Sequence, residues 1–191
     1  MEIYEAITRR RTIRRFAQRP IPFKALEKLI RGARLAPSAA NLQPLEYLVV
    51  DDQQTLPSVF ATLKWAAYIA PAGDPPPGFR PVVYIVILVN KSIRDSDYER
   101  DVGAAAENIL LAAWEEGIGT CWMTSVERKK LRKSLEIRES HIIDSVIALG
   151  YKAEEPRIEE LTNSVRYWKD ESEKLHVPKR PLKDILHRNK F

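Results

Sequence analysis

Apolar side chains recur along much of the chain at spacings of three and four residues, which is the period of an amphipathic helix. In the second such stretch, Pro22 precedes the apolar stripe and Pro37 ends it, because proline cannot continue a helix. The spacing predicts five helices, over residues 3–7, 22–36, 56–69, 98–116 and 126–135. Gly117 is placed to end the fourth helix, and Ser125 to begin the fifth.

Shorter and almost continuous apolar runs predict the strands. The longest run, PVVYIVILV at residues 81–89, is far shorter than the roughly 20 residues that cross a bilayer, so it indicates a buried strand. Strands are predicted over residues 45–50, 82–89, 117–125 and 142–151. Residues 71–81, PAGDPPPGFRP, hold too many prolines for a helix or a central strand. They form either an exposed stiff connection or a loop that overhangs a binding site.

The order of these elements predicts a single α+β domain over residues 1–191, with helices on both faces of a mixed, mainly antiparallel sheet. From about residue 152 to residue 191 the chain is charged and rich in prolines, and we expect an extended C-terminal tail. A lone cysteine, Cys121, excludes an intrachain disulfide, and the first residues, MEIYEAITRRR, contain no apolar leader segment. We therefore expect a cytoplasmic protein that does not associate with membranes.

The formal net charge of +5 is concentrated near the N-terminus, where six arginines fall within residues 9–19. In RRRTIRRF, Arg10, Thr12 and Arg14 occupy alternate positions, so an extended chain presents all three on one side. Guanidinium groups beside a hydroxyl suit a phosphate. Two other interpretations stay open at this point: a solvated basic face, and a nucleic-acid patch that has Phe16 as its nearby aromatic residue.

A second candidate is the stretch APSAANLQP, which follows the second helix. Ser38, Asn41 and Gln43 place hydrogen-bonding groups on a backbone stiffened by Pro37 and Pro44, an arrangement suited to the edge of a planar heterocycle. A plain connection whose side chains satisfy its own backbone is the alternative.

Common catalytic and nucleotide-binding signatures are absent from the sequence. It contains no GxGxxG after the first strand, no P-loop and no GxSxG elbow. His141, His176 and His187 lack the spacing of metal ligands, and Cys121 lies in an apolar run typical of a core position. We therefore predict no metal and no catalytic side chain.

Several blocks of the sequence follow the pattern of a known family, and they occur in this order: RRRTIRRF, PIPFKALEKLIRGARLAPSAANLQP, DVGAAAENILLAAWEEGIGTCWM, VIALGYKAEEP and HVPKRPLKDIL. Together these blocks resemble the nitroreductase-like family of FMN-dependent oxidoreductases. The resemblance covers nearly the whole chain. It implies a nitroreductase-like α+β sandwich and an intertwined homodimer with two flavins at the subunit interface. It also implies hydride transfer from NADH or NADPH to FMN, followed by reduction of a nitro compound, a quinone or a similar small molecule.

The resemblance also implies which residues bind the flavin. Those that clasp the phosphate and ribityl chain are Arg10, Arg11, Thr12 and Arg14. Those that lie against the ring from the other subunit are Pro37, Ser38, Ala39, Asn41 and Gln43. Those that pass beside the isoalloxazine are Thr120, Cys121, Trp122 and Met123, and those that complete the phosphate site are Lys179 and Arg180. Lys64 is a further candidate contact.

Three departures from the family pattern bear on function. Thr12 replaces the commoner serine and keeps the hydroxyl, whereas Leu45 replaces a frequent aromatic residue. The segment between residues 50 and 98 is short and lacks a recognisable substrate lid. The substrate class therefore stays open to dehalogenation, flavin fragmentation or oxidation of a peptide heterocycle, and a non-enzymatic FMN-binding or regulatory protein is a further alternative.

Overall fold

The computed structural model describes residues 2–191, which form helices and strands in an irregular alternation. The α-helices are α1 (Ile3–Arg9), α2 (Phe23–Arg34), α3 (Leu56–Phe60), α4 (Glu99–Glu115) and α5 (Arg128–Ser134). The strands are β1 (Phe16–Ala17), β2 (Leu45–Val50), β3 (Val83–Asn90), β4 (Ile118–Met123), β5 (His141–Lys152), β6 (Arg157–Glu160), β7 (Trp168–Lys169) and β8 (Leu175–Lys179). In the described part of the chain, no helix is both long and apolar enough to cross a membrane.

The main sheet is antiparallel throughout its named strands. The long strand β5 pairs with β1, β3 and β4, and β2 pairs with the free side of β3. This sheet, combined with helices, confirms the α+β class and the mainly antiparallel pairing that the sequence predicts, although its named strands are not mixed in direction.

Strand β3 lies at the centre of the core because both of its faces are covered. Ile85 and Ile87 pack with α2 and α4, whereas Tyr84 and Val86 pack with α3 and α5 on the opposite face. All four side chains are almost completely buried. Alternate residues of a strand point to opposite faces, so the continuous apolar run reflects helices on both sides of the sheet, as predicted.

The predicted helix over residues 56–69 is wrong. Helix α3 ends at Phe60, and a separate 3₁₀ turn covers Ala67–Ile69. Between them Leu63 forms an antiparallel bridge with Val126, and the Lys64 N–H donates to the Ser125 carbonyl at 3.1 Å. These tertiary contacts pull the chain out of its helical path. Ser125 does not cap α5, which begins three residues later at Arg128 with Glu127 at its N-cap position.

Residues 71–81 form neither helix nor strand, as their prolines predict, but they are not uniformly exposed. Gly73, Pro75 and Pro81 are buried. The Phe16 N–H donates to the Phe79 carbonyl at 2.9 Å, which attaches the loop to β1. The loop is therefore partly packed against the domain.

The tail contains a small three-stranded sheet that the sequence patterns did not reveal. Strand β8 lies in the middle, parallel to β6 and antiparallel to β7. The tail contacts the rest of the chain through an ion pair of 3.1 Å between Arg15 and Glu173, and through a hydrogen bond of 3.4 Å from the Lys169 ammonium to the Ala72 carbonyl.

Candidate functional site

The arginine-rich segment lies along the edge of strand β4. Thr12 forms a parallel bridge with Thr120, and the Ile13 N–H donates to the Thr120 carbonyl at 2.9 Å. Gly119 permits this approach, because a Cβ atom there would lie only 2.9 Å from side-chain atoms of Ile13. Two predicted site residues, Thr12 and Thr120, are thereby brought together although they are far apart in the sequence.

Two of the predicted phosphate ligands carry buried N–H groups with unused hydrogen-bonding capacity. The Nε atoms of Arg10 and Arg14 are buried and have no hydrogen-bond partner among residues 2–191. Arg10 Nε lies 3.5 Å from a carboxylate oxygen of Glu107, close enough for an ion pair but not positioned for a hydrogen bond. An unpaired buried donor costs about 1–3 kcal/mol, so the arrangement indicates a place for an additional acceptor.

The guanidinium of Arg14 lies between the tail and strand β4. Its Cζ atom is 5.2 Å from the centre of the Tyr167 ring. It also acts on the thiol of Cys121, whose pKa is raised to about 11 chiefly by burial, with Arg14 opposing that rise. Arg14 therefore connects β4, the arginine segment and the tail.

The guanidinium of Arg11 is engaged at the end of helix α1. Its guanidinium donates hydrogen bonds to the carbonyls of Thr8 and Arg10, which are at the C-terminal end of α1. Partial burial and then the adjacent charge of Arg10 lower the pKa of Arg11. These contacts engage its Nη atoms within the chain, and a flavin contact by Arg11 stays a prediction.

Sequence reasoning missed Glu154, which fixes the backbone of the arginine segment. Its carboxylate accepts hydrogen bonds from the backbone N–H groups of Arg14 and Arg15, the second at 3.2 Å. Glu154 belongs to the block VIALGYKAEEP directly after β5, and an acid at that point was the available signal. Glu154 is thus engaged by the backbone, and the Nε–H of Arg14 has no hydrogen-bond partner among residues 2–191.

The APSAANLQP turn is attached to helix α4 by a buried carboxylate. Asp101 is 4% exposed and accepts hydrogen bonds from the Ser38 hydroxyl at 2.8 Å and the Ala39 N–H at 3.1 Å. The Gln43 N–H donates to the Ser38 oxygen at 3.0 Å. Asp101 was also missed, although an acid within the apolar stripe of α4 is unusual enough to have been noticed.

The backbone of this turn is left-handed at several positions. Ala40, Asn41 and Gln43 have φ angles of 53°, 55° and 52°. The side chains of Asn41 and Gln43 are exposed, and Pro37 and Ala39 are exposed beside them. Non-glycine residues adopt this conformation only where surrounding contacts hold them, which is common at binding sites.

The four predicted residues of β4 differ in accessibility. Thr120, Cys121 and Met123 are buried, whereas Trp122 is 37% exposed. The indole N–H of Trp122 donates to the hydroxyl of Ser145 at 2.7 Å, which fixes the ring on the strand. The position of Cys121 in the core agrees with its apolar surroundings in the sequence.

Lys64, Lys179 and Arg180 are exposed. Lys179 ends strand β8, and Arg180 donates a hydrogen bond of 2.8 Å to the Asp184 carbonyl within the tail. The structure therefore unites the arginine segment with β4 and attaches the turn to α4, but it supplies no contact that joins the two tail residues to Arg10 or Arg14. Their participation stays a prediction.

These features describe an α+β fold with an arginine-rich segment along strand β4. Within residues 2–191, no cluster of three or more His, Cys, Asp or Glu side chains is arranged to hold a metal. The chain belongs to the nitroreductase family, because the model of that family, described as "Nitroreductase family", matches residues 7–151. The predicted family, fold and enzyme class are confirmed.

Particular relatives support this assignment. A protein from Archaeoglobus fulgidus named "Putative NADH dehydrogenase/NAD(P)H nitroreductase" is 34% identical over 161 residues, which cover 81% of this chain and 87% of the relative. An iodotyrosine deiodinase from Haliscomenobacter hydrossis is 25% identical over 185 residues, covering 84% and 83% of the two chains. A Desulfovibrio desulfuricans protein crystallised in complex with FMN has the same fold, with a TM-score of 0.74 at 22% identity over 100% of this chain and 98% of that one.

Proposed function

We propose that the chain is an FMN-dependent oxidoreductase that uses NADH or NADPH to reduce a small organic acceptor, such as a nitro compound or a quinone. FMN supplies the redox chemistry when bound, since it accepts hydride from the nicotinamide and passes electrons to the acceptor. Membership of the nitroreductase family and the FMN complex of a protein with the same fold support the proposal. The observation that carries it is that the buried Nε donors of Arg10 and Arg14, which flank Thr12, have no hydrogen-bond partner among residues 2–191.

These groups fit the phosphate of FMN. Arginine offers planar, permanently charged donors, and Thr12 adds a neutral hydroxyl. Because Thr12 is bridged to Thr120, the segment that binds the phosphate is fixed directly beside β4. We propose that residues 120–123 border the flavin ring and that Lys179 and Arg180 complete the phosphate site from the tail.

The ring-binding part of the site requires a second subunit in this proposal. The cleft beside the APSAANLQP turn has a volume of about 150 Å³, whereas sites for small molecules and cofactors are commonly about 300–1,000 Å³. Several large apolar side chains in or near the helices are exposed: Ile3, Tyr4, Phe23, Leu35 and Leu42. They are therefore available for the interface of an intertwined homodimer. We therefore propose that the turn of one subunit closes the flavin site of the other.

The protein's tasks are to bind the phosphate, to hold the flavin ring and to leave one face of the ring accessible. Trp122 is the partly exposed side chain of β4, and its indole N–H is already bonded to Ser145. It is therefore suited to contact a substrate by packing rather than by proton transfer. In this proposal no side chain acts as a catalytic acid or base.

Substitution of the two arginines tests the proposed phosphate site. Loss of a charge-assisted hydrogen bond costs about 1.5–3 kcal/mol, so Arg10→Ala and Arg14→Ala should each weaken FMN binding by about 10- to 100-fold. Affinity is measured by quenching of flavin fluorescence on titration with the flavin-free protein. Arg9→Ala is the matched control, because Arg9 belongs to the same run but is paired with Glu5 on α1.

The outcome distinguishes a binding site from a structural cluster. Arg14→Lys separates charge from packing at the position that also contacts Tyr167, and circular dichroism establishes that each variant is folded. If folded Arg10→Ala and Arg14→Ala variants bind FMN as tightly as Arg9→Ala, the proposed phosphate site is wrong.

Reductive dehalogenation is the second candidate, because an iodotyrosine deiodinase is among the relatives that cover most of the chain. The two candidates differ in product. The FMN-loaded protein with a reductant should convert a nitroarene or a quinone, whereas a dehalogenase should release halide from a halogenated phenol. Halide release with no turnover of nitro compounds or quinones would replace the first candidate with the second.

A further inference from the structure

Asp101 is a buried carboxylate in the first turn of α4, and its oxygens are directed toward the APSAANLQP turn. One oxygen accepts the Ser38 hydroxyl at 2.8 Å, and the other accepts the Ala39 N–H at 3.1 Å. A carboxylate that is only 4% exposed has lost most of its hydration, so its hydrogen bonds determine its stability in this place. Both of these bonds come from the turn.

The contact with Ser38 extends across the whole turn. The Ser38 hydroxyl has one proton, which Asp101 accepts, and its oxygen in turn accepts the Gln43 N–H at 3.0 Å. Asp101 thus holds the beginning of the turn directly and the end of the turn through Ser38. Between these two points lie Ala40 and Asn41, both with a positive φ.

Left-handed backbone at alanine costs on the order of 1–2 kcal/mol, so the turn needs contacts that hold it in this shape. Asp101 provides such contacts at both ends. When the turn is held, the side chains of Asn41 and Gln43 are exposed, and the Gln43 amide also donates to the Asn41 carbonyl at 3.1 Å.

We infer that Asp101 is the positioning residue of the flavin-facing turn: it holds Ser38 and, through it, Gln43, so that the exposed amides of Asn41 and Gln43 are presented to the flavin ring. The inference rests on the proposed function for its flavin-facing part. It also assigns Ser38 a different role from the one that the family resemblance implies. Its hydroxyl proton belongs to Asp101, so Ser38 supports the turn and does not donate to the flavin through that proton.

The first arm of the test needs no flavin. In the full-length, flavin-free protein, Asp101→Ala should speed amide hydrogen exchange of the Ala39 and Gln43 N–H groups by about 10-fold or more, because both lose their place in the network. Glu99→Ala is the matched control, since Glu99 is an exposed acid in the same first turn of α4. It removes a similar interaction with the helix dipole and should leave exchange in the turn unchanged.

The second arm measures the flavin. Asp101→Ala should weaken FMN binding by about 10-fold and shift the flavin absorption bands, whereas Asp101→Asn, which keeps an acceptor oxygen, should stay within about 3-fold of the wild type. A residue that only stabilises the fold would lower the melting temperature without altering the bands or the affinity of the folded protein. Ser38→Ala breaks the same network from the turn and serves if Asp101→Ala does not fold.

The two arms separate the failure of this inference from that of the proposed function. If the wild type and Glu99→Ala bind no FMN, the proposed function is wrong, and exchange at Ala39 and Gln43 still decides whether Asp101 positions the turn. If Asp101→Ala has wild-type exchange at Gln43 and wild-type flavin affinity and bands, the inference is overturned; it is overturned equally if Ser38→Ala, used in its place, has wild-type exchange at Ala39 and wild-type flavin affinity and bands.

Discussion

Replacement of Gly119 by alanine tests how closely the arginine segment packs on strand β4. An ideal Cβ at residue 119 would lie 2.9 Å from the Cβ, Cγ1 and Cγ2 atoms of Ile13. Ile13 is completely buried, and its branched side chain is stiff about χ1. Either the arginine segment or strand β4 must therefore shift.

Overpacking of this kind costs about 1–3 kcal/mol. For a chain of this length, 1 kcal/mol lowers the melting temperature by about 2–4 °C, so Gly119→Ala should melt about 2–12 °C below the wild type. Displacement of Ile13 also moves Thr12 away from Thr120. In the proposed function this displacement weakens FMN binding as well as the fold.

Thermal unfolding followed by far-ultraviolet circular dichroism, with and without FMN, measures both effects. Gly32→Ala in α2 is the matched control, because its added Cβ would lie 3.9 Å from the nearest atom, the Asn108 carbonyl oxygen, an ordinary contact. It should stabilise the helix by about 0.5–1 kcal/mol. A Gly119→Ala variant as stable as the wild type would refute the close packing of the arginine segment on β4.

Three further predictions concern other parts of the chain. Gly117 has a φ of +73°, so Gly117→Ala should lower the free energy of unfolding by about 1–2 kcal/mol in a denaturant titration, and no change would contradict the left-handed helix end. Burial raises the pKa of Cys121 to about 11, so its thiol should resist Ellman's reagent at pH 8 until the protein unfolds, and rapid labelling of the native protein would contradict this. His176 is hydrogen-bonded to Asp170 and Glu159, which raise its pKa, so its stabilisation of the tail is complete below the ordinary histidine pKa and is lost as the pH rises through the raised value. Limited proteolysis of the tail should accelerate over that range in the wild type but not in His176→Gln, and a flat profile in the wild type would count against the pairing.

The elements that the sequence predicts well are those whose pattern is local. Helix α2 and strand β3 have strong periodicities of three to four residues or continuous apolar runs, and both match their predicted positions within one or two residues. The helix over residues 56–69 fails because the bridge between Leu63 and Val126 joins segments that no local window contains. The tail sheet was missed for a related reason: its strands are two to five residues long and few of their residues are buried, so they carry little periodicity.

The candidate site was likewise predicted only in part from the sequence. The spacing of Arg10, Thr12 and Arg14 indicated a common direction, which the extended segment along β4 allows. The two carboxylates that hold the site, Asp101 and Glu154, were not predicted, because an acid in a charged sequence gives no sign of its partner. Each bonds with backbone or hydroxyl groups that are far away along the chain, and only the fold brings them together.

An anaerobic absorption titration of the purified protein tests whether it binds FMN and reduces it with a nicotinamide nucleotide. After reconstitution with FMN and removal of free flavin, we expect visible flavin bands that bleach on addition of NADH or NADPH and return when a quinone or nitro compound is added. Flavin bands that neither nucleotide bleaches would contradict the enzymatic function and favour an FMN-binding protein. A colourless protein that FMN cannot reconstitute would contradict the flavin site itself.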